Sequence, residues 1–355
     1  MSKFAAELLN ADIVREIDAT GRQAVGRPSI DLALNPGTFL MIGAHITIGR
    51  VEIVLTDSLM TIFESDHFEF DLEIKVDDLI ANLAGKIDAL IAKSGFQRSR
   101  FRGVGLTVPG AVDDDGRVNL FSVFSQWSNI AFADLLEEQL NLPVTLEHNA
   151  AAIALAESRF GAGRDKERVL YVYMGGGIGA GITYSRERSN SLRRCRQVEL
   201  GHIVVNPHGA HCRCGKDGCL ETLFSEGPLL KSLGCPSVPE EGLIKALMQT
   251  DIWLARYEHF LQILATSSIL LLPDMIVLGG HFGTAPDAFF KKLERDLTPR
   301  VTVPQHRAQL SVVRTSYLDE AGAVGAACAG LEQFIYGDPL LAHGRSRQGR
   351  ESRGG

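Results

Sequence analysis

Apolar residues open the chain at helical spacing: Phe4, Leu8, Leu9, Ile13 and Ile17 fall within Ser2–Ile17, and Gly21 and the turn-forming Val25-Gly26-Arg27-Pro28 follow. That spacing predicts a helix, a short polar excursion and an incoming strand. From Phe39 to Thr56 the pattern becomes strand-like, with Ile42, Ile46, Val51, Ile53 and Leu55, and Val76–Ser94 then reads as an amphipathic helix. Arg102–Val108 is a buried-strand run that ends at Pro109-Gly110. Beyond the acidic turn Asp113-Asp114-Asp115-Gly116, the pattern predicts a helix at Phe132–Leu140, a strand at Pro143–Glu147 and an alanine-rich helix at Ala150–Phe160.

The second half opens with a strand at Arg168–Tyr173, passes through a glycine cluster and reaches a cysteine-rich loop at His202–Cys219. Helices dominate to about Leu272, a strand at Met275–Leu278 meets Gly279-Gly280, and a helix of small residues at Gly322–Leu331 closes the pattern. Strands and helices alternate, so the class is α/β. The stretch from Asp338 to Gly355 has no periodicity and is rich in Gly, Arg and Ser, a composition that favours disorder.

With 355 residues, 45% hydrophobic and 22% charged, the chain is long enough for two lobes with a buried core. A net charge of −7 and a pI of about 5.8 leave the body without an electrostatic footprint for nucleic acid, so any DNA contact is local. Met1–Arg15 does not have the build of a secretory signal, and the longest apolar stretch, Phe260–Leu272, is interrupted by Gln262, Thr266, Ser267 and Ser268. These features lead to an expectation of a cytoplasmic protein with no membrane partner. Three of the six cysteines crowd into eight positions, which points to metal rather than disulfides.

His202, Cys212, Cys214 and Cys219 supply one imidazole and three thiolates, a closed tetrahedral set suited to structural zinc. Gly215 and Gly218 let such a loop turn tightly, and His208 and His211 compete with His202 as the imidazole ligand. The segment Glu199-x-Gly-His202 followed by Cys212-x-Cys214-Gly-x-x-Gly-Cys219-x-Glu221 resembles the signature of the ROK family, which groups bacterial repressors, sugar kinases and uncharacterised reading frames. The likeness runs from about Leu8 to Leu331. It implies a two-lobed actin-like ATPase/sugar kinase fold, a duplicated ribonuclease H-like motif, in which the matching His202 and three Cys hold zinc. It also implies that Asn149, Glu199, His202 and Glu221 contact sugar hydroxyls, a task for groups that match paired donors and acceptors. The implied division is a remnant of a winged helix-turn-helix at 1–36, lobes at 37–148 and 149–318 with the zinc loop at 199–221, a closing helix at 319–337 and the tail at 338–355.

The same resemblance exposes departures from a kinase. The family's general base is an Asp directly after an Asn; the segment here reads Glu147-His148-Asn149-Ala150, and Ala150 at the base position cannot take a proton. Strand alternation makes Glu147 or His148 a poor substitute. The first phosphate loop, Asp-x-Gly-Gly-Thr in kinases, aligns with His45-Ile46-Thr47-Ile48-Gly49, in which His45 replaces the metal carboxylate and Thr47-Ile48 replace the two glycines and hinder phosphate approach. The second loop keeps Gly175, Gly176, Gly177 and Gly179, and Gly279-Gly280 resembles the adenosine-side turn; both are read as architectural remnants, with ATP not expected.

Regulators in the family carry a winged helix-turn-helix whose wing ends in Gly-Arg-Pro; Ser2–Glu16 resembles most of its recognition helix and the strand after it, and Val25-Gly26-Arg27-Pro28 resembles the wing exit. Lys3, Arg15, Arg22 and Arg27 offer a few phosphate contacts. Either the module is completed upstream of Met1 or DNA binding has been shed, and an ordinary amphipathic helix is the plain alternative. The leading expectation is a sugar-responsive ROK-type transcriptional regulator, a homodimer that binds DNA if the module is complete. An ATP-dependent sugar kinase and a sugar-binding protein with neither activity are the alternatives. Trp127 suits either stacking on a sugar or filling the core, and Val108-Pro109-Gly110-Ala111 resembles the turn beside the sugar.

Overall fold

The computed structural model describes residues 2–11, 13–18, 30–35, 37–122, 127–184 and 194–337. The wing exit Val25–Pro28, with Arg22, and the tail 338–355 lie outside the described residues.

Helix α1 (Lys3–Asn10) is capped by Ser2, whose Oγ accepts from the Ala5 N–H at 3.1 Å. It stops at Asn10, so Ile13 and Ile17 do not continue it as their spacing predicted. The Ile13 N–H reaches back to the Leu8 carbonyl at 3.0 Å and turns the chain into β1 (Val14–Asp18), which pairs antiparallel with β2 (Ile30–Leu34). None of the residues of α1 is buried, and Phe4 is 69% exposed.

The first large sheet begins as a meander, β3 (Leu40–Thr47), β4 (Arg50–Asp57) and β5 (Ile62–Glu69), with Gly49 in the left-handed region at the first turn (φ 72°). Helix α2 (Val76–Ser94) leads to β6 (Phe101–Val108), parallel to β3. The small hairpin β7 (Ala111–Val112) and β8 (Asn119–Phe121) precedes α3 (Phe132–Leu140), and β9 (Val144–His148) completes the order β5-β4-β3-β6-β9. Helix α4 (Asn149–Arg159) follows directly.

The second sheet repeats this topology. The meander is β10 (Arg168–Met174), β11 (Ile178–Tyr184) and β12 (Arg194–Val198); the helices α5 (Glu221–Phe224), α6 (Glu226–Leu233), α7 (Leu243–Met248) and α8 (Trp253–Leu271) follow. Then come β13 (Met275–Gly280), α9 (Asp287–Leu297), α10 (Pro304–Gln309), β14 (Ser311–Arg314) and α11 (Ala321–Leu331), giving the order β12-β11-β10-β13-β14. Both sheets are covered on both faces, as the near-continuous apolar strands require. Leu170 and Val172 of β10 meet Phe260 and Leu264 of α8, whereas Val169 and Tyr171, one residue out of phase, meet Ala150 and Ile153 of α4. In the first sheet Leu40, Ile42 and Ala44 face Leu79, Leu83 and Ile87 of α2, while Met41 faces Ala323 and Ala327 of α11.

The two lobes therefore exchange helices. Helix α4 leaves the first sheet and packs on the second; α11 leaves the second and packs on the first. Contact is close enough to require glycine: a Cβ at Gly43 would stand 1.9 Å from the Ala323 carbonyl, and one at Gly105 would stand 1.7 Å from the Ala326 carbonyl. At Gly181 a Cβ would meet the Ala150 carbonyl at 2.5 Å, and a Cβ at Gly325 of α11 would stand 2.8 Å from the Ile153 amide nitrogen of α4. The buried Glu157 carboxylate fastens the far end of α4, accepting from Thr315 Oγ1 at 2.5 Å, the Ser316 N–H at 2.6 Å and the Ala162 N–H at 3.0 Å. Among the described residues, no helix is long and apolar enough to cross a membrane.

Replacing Gly105 by Val should cost about 3 kcal/mol or more, because the obstacle is helix backbone rather than a side chain that can turn away. Gly85 in α2 is the matched control: a Cβ there meets nothing within 4 Å, and Gly85→Ala should gain about 0.5–1 kcal/mol. Urea unfolding of both variants measures the difference, and a Gly105→Val loss below about 1 kcal/mol would contradict the close crossing.

Candidate functional site

A cavity of about 350 Å³ opens where the start of α4, the β3–β4 hairpin, the β10–β11 turn and the cysteine loop converge. Asn149, Glu199, His202 and Glu221, far apart in the chain, all line it. Asn149 is the first residue of α4. Glu199 precedes a short helical turn at Leu200–His202, and its Oε1 accepts from Gln197 Nε2. Glu221 opens α5, and its Oε2 accepts from the Ile178 N–H at 3.0 Å, which ties the exit of the cysteine loop to the start of β11.

The ligand atoms of His202, Cys212, Cys214 and Cys219 all lie within 4.8 Å of one another. A tetrahedral zinc with bonds of about 2.3 Å to sulfur and 2.0 Å to nitrogen separates sulfur from sulfur by about 3.8 Å and sulfur from nitrogen by about 3.5 Å. Here Cys214 Sγ is 3.6 Å from Cys219 Sγ, and Cys212 Sγ is 3.5 Å from His202 Nδ1. Burial and then the neighbouring thiols push Cys219 up to about 12, a resistance to ionisation that a dication would remove. The donor set thus fits zinc. Of the competing imidazoles, His211 is exposed and turned to Asp217 at 2.9 Å, and neither it nor His208 belongs to the cluster. His202 presents Nδ1 to the sulfurs and Nε2 toward Glu199 Oε2, 3.9 Å away, so one ring reaches both metal site and cavity. Gly215 (φ 89°) and Gly218 (φ 69°) are left-handed, and a Cβ at Gly218 would collide with the Asn206 carbonyl at 1.5 Å.

Two more imidazoles form the floor of the cavity. His45 Nδ1 is 2.9 Å from Thr107 Oγ1, and Gly322 of α11 lies so close that a Cβ would stand 2.1 Å from His45 Cδ2. Burial lowers His45 to about 4; burial, with His45 nearby, lowers His148 to about 4. Both are neutral at pH 7. Ala150 packs in the second lobe against Val169 and Tyr171, with its Cβ 3.3 Å from the Cβ position of Gly179. Glu147 does not line the cavity; it accepts from Cys195 Sγ at 3.3 Å, and burial raises its pKa.

The glycine turns have structural partners. The Gly175 N–H donates to the Gly177 carbonyl at 2.9 Å, the Glu226 N–H donates to the Gly175 carbonyl at 2.8 Å, and His281 Nε2 is paired with Glu226 at 2.6 Å. Gly176, Gly177 and Gly179 line the cavity, whereas Gly279 lies against Tyr171. Pro109, Gly110 and Ala111 also line it, and Trp127 does not: it is buried against Phe70 and Phe132 at ring distances of 6.1 and 5.4 Å, the core role. Sequence reasoning missed Gln197, Arg213, Phe121 and Tyr173, which also line the cavity. Gln197 and Arg213 carried a signal: Gln197 shares a strand face with Glu199, and Arg213 stands between two cysteines of the cluster.

Zinc analysis of the purified protein should give about one ion per chain, and Cys214→Ser should lose most of it with a lowered Tm. A metal content near zero in protein never exposed to chelator would refute the assignment. The two imidazoles predict a pH dependence with a definite sign. Their folded values lie below the ordinary 6.5, so the unfolded chain takes up protons first as pH falls. Stability is therefore full above about pH 6.5 and declines between about 6.5 and 4, by about 3 kcal/mol for one site. His148→Gln should flatten that decline in urea titrations, and an unchanged slope would count against it.

A model of the ROK family matches residues 42–332. The DNA-binding transcriptional repressor Mlc of Escherichia coli (strain K12) is 26% identical over 96% of this chain and 87% of its own length. In three dimensions the chain resembles a ROK family transcriptional regulator, a homologue of the E. coli Mlc protein, with a TM-score of 0.76 over 96% of this chain and 89% of that one at 23% identity. It also resembles a ROK family glucokinase from Streptomyces griseus, solved with glucose and AMPPNP, with a TM-score of 0.63 over 81% of this chain and 98% of that one at 23% identity. The family match spans the two large sheets apart from the first two residues of β3, together with the cysteine loop and every cavity residue described above, and the chain belongs to the ROK family.

Proposed function

We propose that this chain is a ROK-type transcriptional regulator whose cleft binds a sugar or sugar derivative as effector and transfers no phosphate. The observation that carries the reading is the convergence of Asn149, Glu199, His202 and Glu221 on one cavity in which the residues opening α4, Asn149 and Ala150, have no ionisable side chain. Two carboxylates, an amide and an imidazole suit vicinal hydroxyls, each of which donates and accepts. Zinc on Cys212, Cys214 and Cys219 would fix the His202 ring through Nδ1 and leave Nε2 for the ligand. Ala150, next to Asn149, cannot accept a proton, and burial leaves the His45 and His148 imidazoles weakly basic, which supports a cleft that binds without transferring phosphate.

The N-terminal piece favours a regulator over a kinase. The Mlc match leaves less than a twentieth of the chain uncovered and so reaches into the first 36 residues, while the glucokinase likeness spans 81%. Helix α1 followed by the β1–β2 ribbon has the order of a recognition helix and wing, and α1 keeps Phe4, Leu8 and Leu9 out of the core. DNA is the partner if upstream helices complete the module, and a two-fold homodimer would read a palindromic operator. Residues 1–36 are then the DNA-side remnant, 37–148 and 149–318 the lobes, 319–337 the closing helix, and the protein works in the cytoplasm.

Calorimetric titration of the zinc-loaded protein with hexoses, pentoses and N-acetyl amino sugars should find a saturable ligand. Glu199→Gln and Glu221→Gln should each weaken it by about 10- to 100-fold, the loss expected for hydrogen bonds to a charged acceptor. No saturable sugar, or variants that bind like the wild type, would sink the proposal.

A further inference from the structure

The turns that resemble nucleotide loops are filled by a side chain of the protein itself. Tyr173, near the end of β10, lays its ring in the angle between the Gly175–Gly177 turn and the end of β13. A Cβ at Gly175 would stand 2.3 Å from the Tyr173 hydroxyl oxygen, 2.7 Å from Cζ and 2.8 Å from Cε1, and a Cβ at Gly280 would stand 2.8 Å from Cε2. One edge of the ring therefore lies on each turn. From the other lobe, Ile48 of the β3–β4 turn brings Cδ1 to 3.8 Å from the Cβ position of Gly176. Both side chains line the cavity, which places them on its open side rather than in the core.

A phosphate bound by a glycine turn needs backbone N–H groups within about 3 Å, with nothing between. The Gly175 N–H is already given to the Gly177 carbonyl, and the ring stands over the turn. Two carboxylates stand near the ring, each with a nitrogen partner. The Tyr173 hydroxyl is raised by burial and then by the carboxylates of Glu226 and Glu52, the first paired with His281 at 2.6 Å and the second with Arg50 at 3.1 Å.

We propose that Tyr173 shuts nucleotide out of the cleft, so that this chain binds one ligand where a kinase of the same fold binds two. The claim goes beyond the loss of phosphoryl transfer, because a cleft without a base is still free to hold ATP. Its occupant is the side chain of a single residue. A smaller side chain at 173 would uncover Gly175 and Gly280 together and restore a turn able to take the diphosphate of an adenine nucleotide.

The test is calorimetric titration with ADP and with AMPPNP, each with Mg²⁺, on the wild type, Tyr173→Phe, Tyr173→Thr and Tyr173→Gly. Circular dichroism and zinc content establish that each variant is folded. The wild type and Tyr173→Phe, which keeps the ring, should show no saturation at millimolar nucleotide. Tyr173→Thr and Tyr173→Gly should bind at least about tenfold more tightly. Saturation of the wild type at micromolar nucleotide would overturn the proposal, as would folded Thr and Gly variants no tighter than the wild type. A sugar titration of the same wild-type sample reports on the effector reading separately, since it does not depend on the nucleotide side.

Discussion

The exchange of helices between the lobes is the constraint on which the rest of this structure depends. A helix that packs on a sheet through its backbone, with no side chain between, needs glycine on the strand and small residues on the helix, and both occur twice. Gly43 and Gly105 receive α11, Gly181 receives α4, and the two helices touch at Gly325. Helix α4 follows directly on β9 of the first sheet, starts at the cleft with Asn149 and is pinned at its far end through Glu157 to Thr315 and Ser316, so its position is set by both lobes. The cleft thus inherits a fixed wall on one side.

The second organising feature is the cysteine loop. Its thiols all lie within Cys212–Cys219, and the loop brings Arg213 to the cavity beside Cys214 while Lys216 Nζ holds the His202 carbonyl at 2.8 Å. One imidazole, His202, belongs to the cysteine cluster and also lines the cavity. On the floor of the cavity the groups are uncharged: His45 and His148 are neutral through burial, and Ala150 contributes only a methyl group. A cleft with acceptors at one end and neutral groups at the other suits recognition of a polyol better than movement of a phosphate.

Much of this was legible in the sequence where one physical signal dominated. Helices α2 and α3 follow from apolar spacing alone, and the cysteine loop from ligand chemistry. The opening helix was read too long because Ile13 and Ile17 happen to continue its period, while the backbone turn to the Leu8 carbonyl leaves no such trace. The crossing of α4 and α11 was invisible for a different reason: runs such as Ala-Gly-Ala-Val-Gly-Ala-Ala have no amphipathic face, and α11 is buried throughout. Of the cavity, Asn149, Glu199, His202 and Glu221 followed from resemblance to the family. Tyr173 read as an ordinary strand residue, and only the fold of the glycine turn brings its ring against Gly175 and Gly280.

These strands join in one claim, that a zinc-ordered sugar cleft on a kinase scaffold now serves binding alone. ADP release by the zinc-loaded wild type, followed with Mg²⁺-ATP across a panel of sugars that includes every ligand found by calorimetry, tests it most directly. The account predicts that the sugar binds and that ADP release stays at the sugar-free background. Sugar-dependent ADP release, with the matching sugar phosphate identified by mass spectrometry, would contradict it.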